Sequence, residues 1–241
     1  DDEGPKGPPN RGRTAGNFPT FIPKTDETRI QSVCSVLRDA SEADPPITFY
    51  VAEKVDGSSE TLLLTPEGEF WVCSRNQRKA PEEFCQFWTA ARALDAEAKL
   101  RVYHERTGVR LAIQGELVGP GIQKNRLKLT DRKFLAFNVF NVDTGEFLGF
   151  HDFKMVCAEL GILTVPIITE NLRVVAEETG TKDADIVVSS VPDLVALSTR
   201  KSALCPTVWA EGIVVRPVTE MKHRKLGRWS VKCINPEYLL K

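Results

Sequence analysis

A run of strand formers, Ile47-Thr48-Phe49-Tyr50-Val51-Ala52, stops at Glu53-Lys54-Val55-Asp56-Gly57 and resumes at residues 61–64. β-Branched and aromatic side chains favour the extended chain, and Gly57-Ser58-Ser59 breaks it. Strand follows strand here with no helix between them. The same happens at residues 69–74, after the turn Pro66-Glu67-Gly68, and again beyond residue 109. Strands grouped with inserted helices, without regular βαβ alternation, argue for an α+β fold.

Lys54 lies near a strand end, one residue from a carboxylate, where binding loops usually lie. The pattern reads as a site of covalent catalysis. A lysine attacks phosphorus only as the free amine, yet an ordinary ammonium titrates near ~10.4. Bringing that to neutrality takes roughly 4–5 kcal/mol, which desolvation, a nearby cation or a bound metal can supply. Taken alone, Lys-x-Asp-Gly equally describes a surface lysine beside a turn aspartate.

Along the chain, residues 1–17 are rich in glycine and proline among charges and read as a flexible linker or tail. Residues 18–241 read as one domain, for which the length and the 41% hydrophobic content suffice. An amphipathic helix is predicted from Asp26, ending before Pro45-Pro46, and a long one over about 81–105. Strands are predicted at about 109–118 and 133–142, and a hairpin at Asp143-Thr144-Gly145 leads into 146–150. Helices follow at roughly 152–160, 171–179 and 191–199, then strands near 211–216 and 229–234.

Further motifs accompany Lys54, in order: Ser74-Arg75-Asn76, the stretch from Gln114 to Gln123 (Gln-Gly-Glu-Leu-Val-Gly-Pro-Gly-Ile-Gln), Phe137-Asn138-Val139-Phe140, Glu211-Gly212-Ile213-Val214-Val215-Arg216-Pro217, and Ser230-Val231-Lys232. In that order they resemble motifs I, Ia, III, IIIa, IV and V of the covalent nucleotidyltransferases, the superfamily of polynucleotide ligases and mRNA capping enzymes. The Gln114–Gln123 stretch, with Phe-Ile-Pro-Lys-Thr-Asp-Glu at 21–27, is similar to ATP-dependent RNA ligases of the Deinococcus and Naegleria type.

The resemblance implies the ligase nucleotidyltransferase fold, antiparallel sheets with flanking helices around a nucleotide cleft. It implies that Lys54 attacks the α-phosphorus of ATP, and that Asp56, Glu116 and Glu211 gather around Mg²⁺ or Mn²⁺. Arg75 would contact ribose or the incoming 5′-phosphate, Phe137 would stack on adenine, Glu53 would help select adenine, and Lys232 would contact the α-phosphate. Gln123 would help bind RNA ends. Many relatives carry two lysines separated by one residue in the last motif, whereas Ser230 stands at the first position here, so how that contact is replaced is open.

The implied activity is that of an ATP-dependent RNA ligase acting on nicked duplex RNA or RNA ends. An ATP-dependent DNA ligase, a GTP-using capping enzyme and a catalytically silent RNA- or nucleotide-binding module are the alternatives. The first two usually carry an OB domain after the last motif, for which the stretch beyond Lys232 leaves no room. The RNA ligases carry an OB-like module before this domain, and residues 1–17 lie where its linker would run, so a catalytic domain separated from such a module is expected. A monomer is expected.

The net charge of −1 conceals two basic clusters, Lys124, Arg126, Lys128, Arg132 and Lys133, then Lys222, Arg224, Lys225 and Arg228. Either suits phosphates, and either could be a solvated face. The six cysteines form no Cys-x-x-Cys pair and read as reduced and buried, the three scattered histidines suggest no zinc site, and neither a signal peptide nor a membrane span is visible. A soluble, intracellular protein is expected.

Overall fold

The computed structural model describes residues 11–176 and 183–240. In chain order the elements are β1 (Thr14–Asn17), β2 (Thr28–Arg29), a 3-10 turn at Ile30–Ser32, α1 (Ser35–Ser41), β3 (Thr48–Lys54), β4 (Ser58–Leu64), β5 (Phe70–Ser74) and β6 (Gln77–Lys79). There follow α2 (Gln86–Ala93), α3 (Ala96–Thr107), β7 (Leu111–Val118), β8 (Lys133–Asn141), β9 (Glu146–Phe147) and α4 (Phe150–Glu159). The rest comprises β10 (Ile167–Val174), β11 (Ile186–Val188), α5 (Val191–Ser198), β12 (Gly212–Pro217), β13 (Lys222–His223), β14 (Gly227–Arg228), β15 (Val231–Ile234) and α6 (Pro236–Leu239). The fold is α+β.

The chain divides into two compact units, and the expected domain 18–241 covers both. The first contains the described part of Asp1–Thr25, with Gly57–Leu148 and Phe153–Thr164. Its seven strands are antiparallel, in the order β1-β6-β5-β4-β7-β8-β9. Alternation along β4 and its neighbours sends Leu63, Cys73, Ala112 and Phe140 to one face, where they pack with Phe18 and Ile22. Helices α2 and α3 pack on β5 and β4.

The second unit contains Asp26–Asp56, Gly149–Asp152 and Val165–Lys241. Its six-stranded sheet runs β11-β10-β3-β12-β15-β2, antiparallel in the middle, with parallel pairings at both edges, β10 with β11 and β15 with β2. Phe49, Val51, Ile213, Val215, Val231 and Cys233 project from one face into a core with Ile30, Leu172, Leu194 and Trp229. Burying each such side chain stabilises by about 1.5–3 kcal/mol. That fixes the register, since a one-residue slip would turn the whole set outward.

Several predicted elements differ. Residues 14–17 form an edge strand rather than a tail, while residues 1–10 lie outside the described residues. The helix predicted from Asp26 begins only at Ser35, because residues 28–29 pair with β15 instead. The long helix over 81–105 is two helices, broken at Asp95, which adopts a left-handed φ of 53°. Residues 171–174, predicted helical, continue β10 in register with β3 and β11, and residues 177–179 of that prediction lie outside the described residues. The cysteines are all free, but Cys34 is exposed and Cys205 half-buried. Burial pushes the Cys73 and Cys157 thiols up to about 12, so neither is a nucleophile.

Candidate active site

In the second unit the registers place three strands side by side. Lys54 pairs with Gly212, Ala52 with Val214 and Tyr50 with Arg216, while Ile234 and Lys232 continue the first two rows and Ser230 meets Arg216 through a side-chain hydrogen bond. Directly paired residues share a face, so Lys54, Lys232, Arg216, Ser230 and Tyr50 all lie on the face opposite the apolar core. The last turn of β3 thus lifts Lys54 away from the core.

Glu211, the residue before Gly212, is carried to Lys54 by that pairing, and Lys54 Nζ donates to Glu211 Oε1 at 2.7 Å. Both side chains are mostly shielded, 25% and 18% exposed, which limits screening of the pair. Gly212 is there for space: a Cβ on it would collide with the carbonyl oxygen of Cys233 on β15. Asp56, two residues beyond Lys54, accepts from the Tyr238 hydroxyl at 2.6 Å. Tyr238 belongs to the short terminal helix α6, whose N-cap Asn235 is buried and tied to Ala210 O at 2.9 Å. Sequence reasoning missed Tyr238, since a single tyrosine after the last motif carries no pattern.

Glu53 lies on the other face from Lys54. It is buried, and its carboxylate accepts from Ser202 Oγ and from the Ala203 amide, the latter at 2.8 Å. Ser202 and Ala203 belong to no motif, so this anchorage was not legible either.

Ser230 is buried and fully engaged: its hydroxyl accepts from Arg216 Nε at 2.8 Å and donates to Glu27 Oε1 at 3.2 Å. Arg216, also buried, pairs with Glu27 at 2.7 Å and donates to the Tyr50 hydroxyl at 3.2 Å. Burial alone would raise the Glu27 pKa, but the charge and hydrogen bonds of Arg216, with help from Arg228 and Ser230, outweigh it and hold the carboxyl below the usual range. A cation therefore does lie beside Ser230, supplied by the neighbouring strand. The alternation Gly212, Val214, Arg216 along β12 is the signal that could have located it.

In the first unit, Glu116 on β7 faces Ser59 of β4 and Leu135 of β8. Gly57 packs against this strand so closely that a Cβ would overlap Leu117 O and come within 2.7 Å of Val118 Cγ1. Gln123, left-handed at φ 47°, donates through Nε2 to Gly57 O at 3.3 Å. Phe137 is half-buried on β8 in a β-bulge: Gln114 pairs with Asn138 and Gly115 with Ala136, so Phe137 opposes no residue of β7. Bulges re-aim side chains, which separates Phe137 from the regular core alternation. Arg75 is exposed in the turn between β5 and β6, next to Asn76, whose side chain accepts from Lys24 Nζ at 3.0 Å.

Among the described residues no group of three His, Cys, Asp or Glu side chains forms a ready cage for a metal ion. The donors fit magnesium or manganese nonetheless. Asp56 and Glu211 offer hard carboxylate oxygens, and Mg²⁺ is usually held by one or two carboxylates with water and substrate phosphates rather than by an all-protein cage.

A family model described as RNA ligase matches residues 47–234. Among solved structures, a lysine-to-methionine mutant of the Naegleria gruberi RNA ligase with AMP and manganese matches at a TM-score of 0.80 and 26% identity, over 96% of this chain and 62% of that one. A lysine-to-alanine mutant of the same ligase with ATP and manganese gives 0.80 and 26%, over 96% and 61%. The ligase with pyrophosphate gives 0.79 and 26%, over 98% and 63%. This chain thus spans less than two thirds of those relatives, and no curated protein sequence matches it. The motifs, the two sheets that carry them and the family match agree: the chain belongs to the RNA ligase family.

Proposed function

We propose that residues 18–241 are the adenylyltransferase domain of an ATP-dependent RNA ligase, with Lys54 as the nucleophile. The observation that carries this reading is the 2.7 Å contact of Lys54 Nζ with Glu211 at a strand end, on the face that also bears Lys232. The Naegleria complexes with ATP, AMP, manganese and pyrophosphate lend it support.

In this reading Lys54 Nζ, relieved of its proton, forms a bond to the α-phosphorus of ATP while the bond to pyrophosphate breaks. The product is lysine–AMP. AMP then passes to an RNA 5′-phosphate, and a 3′-hydroxyl displaces AMP to seal the strand. Glu211 orients Lys54 before ATP arrives. Asp56, Glu116 and Glu211 are the carboxylates for Mg²⁺ or Mn²⁺, a cation that when bound neutralises phosphate charge and disfavours the ammonium form of Lys54. Lys232 balances charge at the α-phosphate, Phe137 stacks on adenine, Arg75 grips ribose or the 5′-phosphate, and Gln123 holds the RNA end.

For Glu53 the buried carboxylate supports a positioning role, in which it holds residues 202–203 against the strand end that carries Lys54. Ser230, which stands where many relatives carry a lysine, is bonded to the Arg216 guanidinium, whose charge is matched by Glu27.

Incubating the protein with α-labelled ATP or GTP and Mn²⁺, then adding nicked RNA or DNA duplexes, tests the reading. Labelling by ATP and transfer to RNA are expected. Labelling by GTP alone would overturn it, and sealing of DNA but not RNA would make the enzyme a DNA ligase.

A further inference from the structure

The two basic clusters are built differently. In the second, Arg228 pairs with Glu220, Arg224 lies 3.7 Å from Asp39, and Lys225 donates to Ser35 Oγ at 2.7 Å, so both arginines face carboxylates of the fold. The first, in residues 119–133, holds Lys124, Arg126, Lys128, Arg132 and Lys133 against a single acid, Asp131. Lys124, Lys128 and Lys133 are exposed, and none of the three makes an ion pair or side-chain hydrogen bond among the described residues.

The segment carrying them is constructed rather than slack. Three reverse turns follow one another, closed by Ile122 N to Gly119 O, Asn125 N to Ile122 O and Lys128 N to Asn125 O at 3.0, 2.9 and 2.8 Å. Gln123, Asn125 and Lys128 are left-handed, a conformation that costs a non-glycine residue about 1–2 kcal/mol. Ile122 and Leu127 are buried and pin the loop. The Asn125 side chain brackets Leu129 with two hydrogen bonds, and Arg132 Nε donates to Pro120 O at 2.6 Å. Apolar residues point in, lysines point out, and Gln123 ties the whole to Gly57 of the Lys-x-Asp-Gly motif.

We propose that residues 119–133 form a preorganised surface for the phosphate backbone of the RNA being sealed, with Lys124, Lys128 and Lys133 contacting successive phosphates. This rests on the RNA ligase reading and assigns the strand grip to lysines that follow the Gln114–Gln123 motif. Ammonium groups without ion-pair partners among the described residues, carried on a hydrogen-bonded loop, bind phosphates without first breaking internal ion pairs, and each contact contributes a salt-dependent share of affinity. In the second cluster Arg224 and Arg228 already face carboxylates.

The test is equilibrium binding of a nicked RNA duplex, without ATP, at several salt concentrations. Three proteins are compared: wild type, Lys124→Glu/Lys128→Glu, and Lys99→Glu/Lys154→Glu, which changes net charge equally on α3 and α4. The loop variant should bind at least about tenfold more weakly, with a log–log salt slope shallower by about two, and should self-adenylate at the wild-type rate. The control should keep the wild-type slope. Equal slopes for wild type and loop variant, or equal losses in both variants, would overturn the proposal. If wild type binds RNA with the predicted slopes but takes no AMP, the adenylation reading fails and the loop assignment stands.

Discussion

Glu60 stands apart from the other acids of the chain. It is fully buried on β4, neither carboxylate oxygen has a hydrogen-bond partner among the described residues, and burial pushes its pKa well above the ordinary carboxylate range. The folded protein therefore binds a proton that the unfolded chain has released. Stability from this group is complete below the unfolded value of ~4.3 and is lost as pH rises toward the folded pKa. Glu60→Leu should stabilise by about 1–3 kcal/mol at neutral pH and flatten that dependence. Urea unfolding at pH 5, 7 and 9 checks it, and an unchanged slope would mean that Glu60 is not buried as an acid. Sequence alone could not single out this residue, because the alternation of β4 predicts which face Glu60 occupies but not that the face is closed. Lys54 was legible by contrast, since its chemistry is written in adjacent residues, whereas its partner Glu211 comes from 157 positions away.

At the scale of elements, the row Glu27, Ser230, Arg216 and Tyr50 links β3 and β12 to the residues just before β15 and β2. Arg216→Met should leave Glu27 as an unpaired buried charge and cost about 3–5 kcal/mol, much of it recovered in Glu27→Gln/Arg216→Met. Because the Glu27 pKa is lowered, the contribution of the pair is present above ~4.3 and is lost as acidification passes the folded value. Thermal melts of the three proteins at pH 7 and pH 3 separate these outcomes. The α2–α3 break offers a second measurement: glycine carries no penalty for a left-handed φ, so Asp95→Gly should raise stability by about 0.5–1 kcal/mol. Helix and strand were legible where periodicity runs long, as in β7 and β8. They were not legible in β2, two residues held by pairing alone, or in β10, where pairing with β3 and β11 overrides a helix-compatible composition.

Across the whole molecule, the sequence motifs divide between the two units. Lys54, Asp56, Glu211 and Lys232 belong to one, and Arg75, Glu116, Gln123 and Phe137 to the other. Motif order was readable because the chain visits each unit in turn. The anchors Tyr238, Ser202 and Arg216 were not, since only folding brings them to their partners. The central claim is that the chemistry resides on Lys54. Intact-mass spectrometry after incubation with ATP and Mn²⁺ tests it most directly, on wild type and on Lys54→Ala, with circular dichroism to establish that both are folded. The account predicts a single AMP adduct on wild type and none on the variant. An adduct formed on Lys54→Ala at the wild-type rate, or none on folded wild type, would contradict it.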